Sequence, residues 1–507
     1  MPSTNNLYAV AVDGRIDNFH ALKKWSGEPF PIVTNEDLIL ALLCIISNDD
    51  KPQDKMDTIR TLSNMLEGNP TIVFICSNQK AIYCIGGAKP LLIGINKNGY
   101  YISSEISALC ENADKYTALN IGELARITED KIYICDRNLK RLKKNVNAVN
   151  MTPADNIEYS YSEQLLTLPS ITKDIFSQYA RDNKLHFEKT KLSSRRLNRL
   201  ENIILTGSGS SFNIAGIIRS HLELMTDIPV WALPSGELCH SGTIIDDNTL
   251  VIPLSASGES TDTILSAVRA NGLGAKTVAI CCKKNSQLER ICDSVIVAEG
   301  EFSNSFPVMQ CNTAMYFTAC LLSLFISNKL NIAKDMYVNL ALKMAQMLSG
   351  KILTATKELP SLTMLATRLS ARSKIIITGL GADYPLSAEC ASVLSSISSL
   401  SCIPCHICSL LSSYGTNISE QTIIVPITNS EYLPIVTPYL LRAKVLGAEI
   451  IILTLSNTEE EIKDFDNIIS FDDSIPLFNP LIILSAIYKT AVIIDEINNS
   501  NRLDEAI

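Results

Sequence analysis

Four hydroxyl side chains and a glycine are concentrated in the segment Ser255-Ala-Ser-Gly-Glu-Ser-Thr261. An apolar run precedes the segment and a helical pattern follows it, so it is predicted to join a strand to a helix. Backbone N–H groups and hydroxyls at such a junction can surround a phosphate group without a lysine. A helix cap would account for only one or two of these residues. The predicted phosphate ligands are therefore Ser255, Ser257, Gly258 and Ser260.

Ser210 and Ser211 are predicted to form the other side of this anion site. They follow Gly207-Ser-Gly209 at the start of another helical pattern. A Gly-x-Gly after a strand also occurs in dinucleotide-binding folds, but Phe212 stands where their third glycine would be. We therefore discount a nicotinamide cofactor, and no cofactor is predicted.

A second group of chemically active side chains is the segment Cys402-Ile-Pro-Cys405-His406-Ile-Cys408. Three thiols and an imidazole could hold zinc, and Cys-x-x-Cys-His is also a haem-attachment motif. A segment of seven residues rarely closes a tetrahedral site by itself. The preferred interpretation is packed thiols in a turn, without a metal. The 15 cysteines of the chain fit a reducing compartment.

Composition excludes several classes of protein. A chain of 507 residues is too long for one hydrophobic core. Its net charge of −9 argues against a nucleic-acid-binding protein. The longest apolar run, Met315–Ile326, is too short to span a bilayer, and the N-terminus lacks the pattern of a signal peptide. The prediction is a cytoplasmic protein that binds neither nucleic acid nor membrane.

The elements that must position these residues occur twice. Ile203–Asn213 and Ile375–Pro385 each place Gly-x-Gly after a β-branched run, and Gly207 and Gly379 are 172 positions apart. A period shared by several elements indicates a tandem repeat, and strands apolar on both faces indicate parallel sheets. We therefore predict two doubly wound α/β domains with five-stranded sheets, whose ligands bind at the carboxyl ends of the strands. The other strand pairs are 250–254 with 422–427, 276–282 with 449–455, and 294–298 with 467–471.

The rest of the chain is predicted as follows. Residues 1–145 form an α+β domain, residues 146–190 form a linker with helices interrupted at Pro169, and the repeats occupy residues 191–345 and 346–507. Two helices, near 332–348 and 352–371, connect the repeats. In the front domain the predicted strands are 7–12, 71–76, 81–85, 90–93, 100–103 and 131–135, and the predicted helices are 35–46 and 54–66.

The serine-rich segment resembles the signature loop of the sugar isomerase (SIS) domain, Ser-x-Ser-Gly-Glu-[Ser/Thr]-x-Asp-Thr. Two such domains behind an α+β domain resemble the isomerising glutamine–fructose-6-phosphate aminotransferases, also called glucosamine-6-phosphate synthases. The resemblance implies a front domain of the glutamine amidotransferase type 2 (Ntn-like) kind, a hexose 6-phosphate ligand, and pairing as a homodimer or heteromer. Sugar contacts would come from Glu237, Glu259 and Glu389. The matching segments are Asp13–Asn18, Thr34–Asp37, Pro90–Gly94, Ile102–Leu109, Gly209–Asn213, Ser235–Glu237 and Gly381–Pro385.

The glutaminase chemistry of that family is not matched in this chain. The family's nucleophile is an N-terminal cysteine, whereas the first cysteine here is Cys44. Asp13 replaces the asparagine that donates to the oxyanion, and an ionised carboxylate can only accept hydrogen bonds. The front domain is therefore interpreted as a partial glutaminase domain.

The isomerase chemistry is not matched either. The family's lysine and glutamate fall on Val393 and Ser396, and neither residue is a base near neutral pH. The ring-opening histidine falls within 411–413, where none is present, and the imine-forming lysine is replaced by Glu505. The lid sequence appears as Gln310–Thr313, and Ala256 replaces a glutamine of the sugar loop.

Three functional hypotheses remain. The preferred one is a relative that binds fructose 6-phosphate or glucosamine 6-phosphate without turning it over, as a sensor or a partner of a competent paralogue. The second is an active aminotransferase or aldose–ketose isomerase with relocated catalytic residues, for which His406 is the nearby imidazole. The third is a purely structural dimer partner. Ligand binding distinguishes the first two from the third, and turnover distinguishes the second from the first.

Overall fold

The computed structural model of the chain divides into two compact units, Met1–Ile157 and Glu158–Ile507. The front unit therefore extends past residue 145, where the sequence predicted its end. Residues 150–159 of the predicted linker, Asp54 and Pro90 lie outside the described residues. The structure describes residues 3–4, 7–27, 31–47, 55–88, 91–104, 106–109, 111–149, 160–298, 309–357, 359–455 and 464–505.

The described residues of the front unit form two antiparallel sheets and three α-helices. The elements are β1 (Ser3–Thr4), β2 (Tyr8–Asp13), α1 (Phe19–Ser26), α2 (Asn35–Ile46), α3 (Met56–Met65), β3 (Thr71–Cys76), β4 (Ile82–Ile85), β5 (Leu91–Asn96), β6 (Gly99–Ser103), β7 (Lys115–Leu119), β8 (Leu124–Ile127), β9 (Ile132–Cys135) and β10 (Asn147–Ala148). One sheet has the order β1-β2-β3-β4-β8-β9 and the other the order β10-β7-β5-β6. The buried face of α2 packs on the first sheet with Tyr8, Phe74 and Tyr83.

The α+β character predicted for this unit is observed, and each strand and helix predicted for it is present to within a few residues. Strands β7 and β8 were missed. Their sequences, Lys-Tyr-Thr-Ala-Leu and Leu-Ala-Arg-Ile, are short and place charged residues within apolar ones, so neither shows a clear period of two.

The second unit contains two five-stranded parallel sheets, as predicted. The elements are α4 (Tyr161–Tyr179), β11 (Ala180–Arg181), β12 (Lys184–Leu185), α5 (Ser194–Leu197), β13 (Asn202–Gly207), α6 (Ser210–Thr226), β14 (Val230–Pro234), α7 (Ser235–His240), β15 (Thr249–Ser255), α8 (Thr261–Gly272), β16 (Lys276–Cys281), α9 (Gln287–Ile291), β17 (Ser294–Val297), α10 (Met309–Lys329), α11 (Asp335–Ala355), α12 (Pro360–Ser370), β18 (Lys374–Gly379), α13 (Asp383–Ser398), β19 (Cys402–His406), α14 (Leu410–Tyr414), β20 (Thr422–Thr428), α15 (Leu433–Val445), β21 (Glu449–Thr454), β22 (Asn467–Ser470) and α16 (Asn479–Glu505). The two sheets have the same strand order, β14-β13-β15-β16-β17 in one and β19-β18-β20-β21-β22 in the other.

Three local predictions for this unit were wrong. Helix α4 continues through Pro169, because Leu165, Leu168 and Ile171 bury the same face on both sides of the proline. The segment 402–406 is a strand rather than a turn; it is β19, at the edge of its sheet, where Pro404 is tolerated. The break between the connecting helices lies after Ala355 rather than near residue 350, since α11 continues to bury Ile352 and Ala355.

The two parallel sheets share one hydrophobic core. Residues of α6 and α10 cluster with residues of α13 and α16, so the two domains are packed through their helices. Gly216 on α6 allows a close approach to α13, because a Cβ atom there would lie 2.9 Å from the Cβ of Pro385. Helix α10 is long and apolar enough to cross a membrane by length and composition, but its apolar window is entirely buried inside this unit. It is therefore a core helix.

Candidate functional site

The predicted anion site lies at the point where the strand order of the first parallel sheet reverses. From β13 the chain passes to β14 on one side, and β15 then pairs with β13 on the other side. The loops that follow β13 and β15 are therefore neighbours at the carboxyl edge of the sheet, where ligands of such folds bind. Ser210 and Ser211 begin α6, and residues 255–260, here called the serine loop, lead into α8.

The serine loop is held by its own hydroxyl groups. The Ser255 and Ser260 hydroxyls are 3.1 Å apart. The Gly258 N–H donates to Ser255 Oγ, and the Glu259 N–H donates to Ser257 Oγ, each at 3.1 Å. These bonds fix the loop in a compact turn before any ligand is bound.

Gly258 is required by the conformation of this turn. Its φ of +68° lies in the left-handed region, and a Cβ atom would lie 2.4 Å from the Oγ of Ser286. Both facts exclude a side chain here without displacement of the loop. At Gly258 the serine loop therefore packs closely against Ser286, in the segment that follows β16.

The two acidic residues predicted as sugar contacts in this domain have different environments. Glu259 Oε1 accepts the backbone N–H of Gln287 at 2.9 Å, at the start of α9, so this carboxylate anchors the serine loop. Glu237 is exposed on α7. Behind Glu237, the buried Ser235 hydroxyl lies 3.2 Å from the hydroxyl of Thr206 and 3.0 Å from that of Thr263, which links β13, α7 and α8.

The start of α6 approaches the strand edge closely. A Cβ atom at Gly207 would lie 2.8 Å from the carbonyl carbon of Ser211, so only glycine fits there. Gly209 has a φ of +58° and immediately precedes the helix. Ser211 is nearly buried, whereas Ser210 is half-buried. The helix start therefore presents its N–H groups beside the serine loop.

Glu389 reaches this region from the second domain. The side chain is fully buried on α13, and each of its oxygens accepts a side-chain amide. Asn213 Nδ2 donates to Oε2 and Asn312 Nδ2 donates to Oε1, both at 2.9 Å. Burial raises the pKa of Glu389 from 4.5 to about 7, against smaller opposing effects of the hydrogen bonds from Asn213 and Ser210.

The residues that the sequence places at the family's isomerase positions lie in the helices of the second domain. Val393 is buried in the core. Ser396 donates its hydroxyl to the carbonyl of Val393 at 3.2 Å, as helical serines do. Residues 411–413 lie in α14, and Glu505 is the last residue of α16, with a side chain outside the described part.

The side chains of the cysteine cluster bond to neighbouring backbone groups. The Cys405 thiol donates to the His406 carbonyl at 3.2 Å, and His406 Nδ1 accepts the Cys408 N–H at 3.3 Å. The imidazole lies edge-on to the Tyr384 ring, with 5.3 Å between the ring centres. Within the described ranges, no three His, Cys, Asp or Glu side chains are grouped to hold a metal ion.

The equivalent edge of the second parallel sheet has different chemistry. A Cβ atom at Gly381 would lie 2.8 Å from the Tyr432 hydroxyl, so a tyrosine packs against the glycine turn there. Asn429 Nδ2 lies 3.5 Å from Asp383 Oδ2, and burial raises the pKa of Asp383 from 3.8 to about 7. The hydroxyl-rich loop is therefore a feature of the first domain.

Sequence reasoning missed the roles of Asn213 and Asn312. Asn213 was noted only as part of a motif and Asn312 only as part of the lid. Their amides are polar groups within mainly apolar helices, and Asn312 is among the buried residues of α10. A buried polar residue needs a partner. That signal was readable in the sequence, but the identity of the partner, Glu389, was not.

Comparisons with known proteins agree with this architecture. Residues 197–322 and 368–475 match the SIS domain family. The chain is 24% identical over 78% of its length to the isomerising glutamine–fructose-6-phosphate aminotransferase of Caldanaerobacter subterraneus, and 23% identical over 58% to that of Clostridium tetani. It spans 66% and 50% of those relatives.

A solved structure shares the fold. The C-terminal domain of glucosamine-fructose-6-phosphate aminotransferase from Francisella tularensis has a TM-score of 0.62 and 18% identity, covering 68% of this chain and 98% of that one. The predicted resemblance is therefore confirmed. Two segments of the chain match the SIS domain family, and the chain is similar in sequence to the isomerising aminotransferases.

Proposed function

We propose that this chain, with its two SIS domains, binds a hexose 6-phosphate such as fructose 6-phosphate or glucosamine 6-phosphate and does not turn it over on its own. The phosphate group would occupy the space between the serine loop and the start of α6. Ser210, Ser211, Ser255, Ser257, Gly258 and Ser260 would hold it. We further propose that the protein is cytoplasmic and acts as a sensor or as a partner of a competent relative.

The observation that carries the binding proposal is the pairing of two hydroxyl-rich loops at the switch point of the first sheet. Hydroxyls and helix N–H groups together form a neutral site for an anion. Because the serine loop is already folded by its own hydrogen bonds, little ordering is needed when the ligand enters.

The proposed lack of turnover rests on Val393 and Ser396. An aldose–ketose isomerisation requires a base within hydrogen-bond reach of the C1 and C2 protons. Val393 is apolar, and the Ser396 hydroxyl donates a hydrogen bond to a backbone carbonyl of its own helix. The front unit, residues 1–145 in the predicted division, is proposed to be a partial glutaminase-type domain without a nucleophile.

The test is a thermal-shift screen with fructose 6-phosphate and glucosamine 6-phosphate, followed by a turnover assay on each ligand found. A rise in melting temperature that saturates with ligand, without product formation, is the expected result. No shift at millimolar concentration would leave the structural dimer partner as the function. Product formed from free ammonia would favour the active enzyme with relocated residues.

A further inference from the structure

A cavity of about 440 Å³ is lined by strands of both sheets of the front unit. Ile132 and Ile134 contribute from β9 of the first sheet, and Ile95 contributes from β5 of the second. Residues i and i+2 of a strand point to the same face, so the two isoleucines of β9 lie side by side. The volume falls in the range of about 300–1,000 Å³ that sites for small ligands occupy.

The segment that follows β9, residues 141–146, lines the same cavity and is anchored to both sheets. The Leu142 N–H donates to the carbonyl of Ile134 at 2.9 Å, on the first sheet. The hydroxyl of Thr117 on β7 donates to the carbonyl of Asn145 at 3.0 Å, on the second sheet. These bonds hold the segment in place before any ligand is bound.

This segment concentrates positive charge in an acidic chain. Residues 137–144 contain five cations and no acidic residue, although the net charge of the chain is −9. Lys144 is neutralised, because its Nζ lies 2.7 Å from Glu123 Oε2. Arg141 and Lys143 are exposed, and within the described ranges no ion pair joins either of them to an acidic side chain. Two of the cations that line the cavity can therefore bind an anion.

We propose that this cavity binds an amphipathic anion, namely a linear aliphatic carboxylate. Arg141 and Lys143 hold its charged head, and the aliphatic chain covers the three isoleucines. The site belongs to the front unit and does not depend on the hexose 6-phosphate site proposed in the second unit.

Both halves of such a ligand match the side chains that line the cavity. A guanidinium group can bind a carboxylate through two parallel N–H···O bonds, and the ammonium group of a lysine adds a second positive charge. Ile95 and Ile132 are only partly buried, so an aliphatic chain would remove apolar surface from water. A small inorganic anion would leave that surface exposed, and an uncharged alcohol would gain nothing from the two cations.

The experiment is calorimetric titration of the full chain at pH 7 with butyrate, hexanoate, octanoate and decanoate. We expect the affinity to rise roughly fourfold for each added CH₂ group until the cavity is filled, because each buried CH₂ contributes a similar free energy. Acetate and 1-decanol are the controls, since each has only one half of the ligand. Both should bind about tenfold or more weakly than decanoate.

Two double variants test the role of the cations. Arg141→Gln with Lys143→Gln should lower decanoate affinity about tenfold or more and leave 1-decanol affinity unchanged. Arg137→Gln with Lys140→Gln is the matched control, because it removes the same charge from residues that do not line the cavity. It should change decanoate affinity by about twofold at most, since exposed charges are screened by salt. All four side chains are exposed, so both variants should fold.

Three outcomes would overturn the inference. The first is the absence of saturable decanoate binding at millimolar concentration. The second is equal affinity for decanoate and 1-decanol, which would mean that the cations do not hold the head group. The third is equal decanoate affinity in the two double variants, which would attribute the effect to the overall charge of residues 137–144.

Discussion

The hydroxyl of Ser257 provides a direct residue-scale test of the anion site. Ser257 lies in the serine loop and accepts the Glu259 N–H at 3.1 Å. A hydrogen bond to a charged group contributes about 1.5–3 kcal/mol, so Ser257→Ala should weaken hexose 6-phosphate binding roughly tenfold or more. The measurement is the ligand concentration that gives half of the thermal shift. Ser430→Ala, in the loop after β20, is the control and should leave this concentration unchanged.

The raised pKa of Glu389 makes the free energy of unfolding depend on pH. Its pKa in the folded chain is about 7 and its ordinary value is 4.5. The stability that it contributes is therefore present below pH 4.5 and is lost as the pH rises to about 7. The loss is on the order of 3 kcal/mol. Urea unfolding at several pH values should show a shallower decline for Glu389→Gln than for the wild type. Parallel curves for the two proteins would contradict a raised pKa.

The candidate site residues could be predicted from the sequence where they are neighbours in one loop. They were harder to predict where the fold brings distant residues together. The serine loop is contiguous in sequence, so its hydroxyls could be identified from spacing alone. The triad of Glu389, Asn213 and Asn312 joins three helices across two domains. Its pairing depends on how those helices cross, which a single sequence does not specify.

At the scale of elements, hydrophobic patterning predicted the strands with continuous β-branched runs. The sequences Asn-Ile-Ile-Leu-Thr-Gly of β13 and Lys-Ile-Ile-Ile-Thr-Gly of β18 are examples. β14 and β19 were missed because edge strands are paired on one side only and need less apolar sequence. The predicted break at Pro169 was wrong because burial of one face of α4 outweighs the loss of one backbone hydrogen bond.

The crossing of α6 and α13 yields a prediction at this scale. Gly216→Ala would place a Cβ atom 2.9 Å from that of Pro385, in a helix pair that joins the two domains. Overpacking of this kind costs about 1–3 kcal/mol, so the free energy of unfolding should fall. Gly350→Ala is the matched control, because that glycine of α11 faces open space. It should raise stability by about 0.5–1 kcal/mol. Denaturant unfolding should therefore show a lower free energy of unfolding for Gly216→Ala and a higher one for Gly350→Ala than for the wild type.

At the scale of the whole molecule, the tandem repeat and its duplicated strand order could be predicted from the 172-residue period. What the period does not reveal is that the two SIS domains form one unit. A shared core through α10 and α16 joins them, and Asn312 of α10 donates to Glu389 of the second domain. The two sheets are alike in topology, but the loop after β15 is rich in hydroxyl groups whereas the loop after β20 packs Tyr432 against Gly381.

The whole-molecule prediction is that the purified chain makes no glucosamine 6-phosphate from fructose 6-phosphate, with either glutamine or ammonia as nitrogen donor. Glutamine hydrolysis requires a nucleophile and an oxyanion donor, and Asp13 stands at the position that the sequence analysis assigned to the oxyanion donor. General acid–base catalysis of the isomerisation contributes roughly 10²–10⁴-fold, and Ser396 cannot supply it. A coupled assay of product formation at pH 6, 7 and 8 should therefore remain at background. Product with ammonia that disappears in His406→Ala would instead place the base on β19. Product with glutamine would mean that the front domain has a nucleophile other than an N-terminal cysteine.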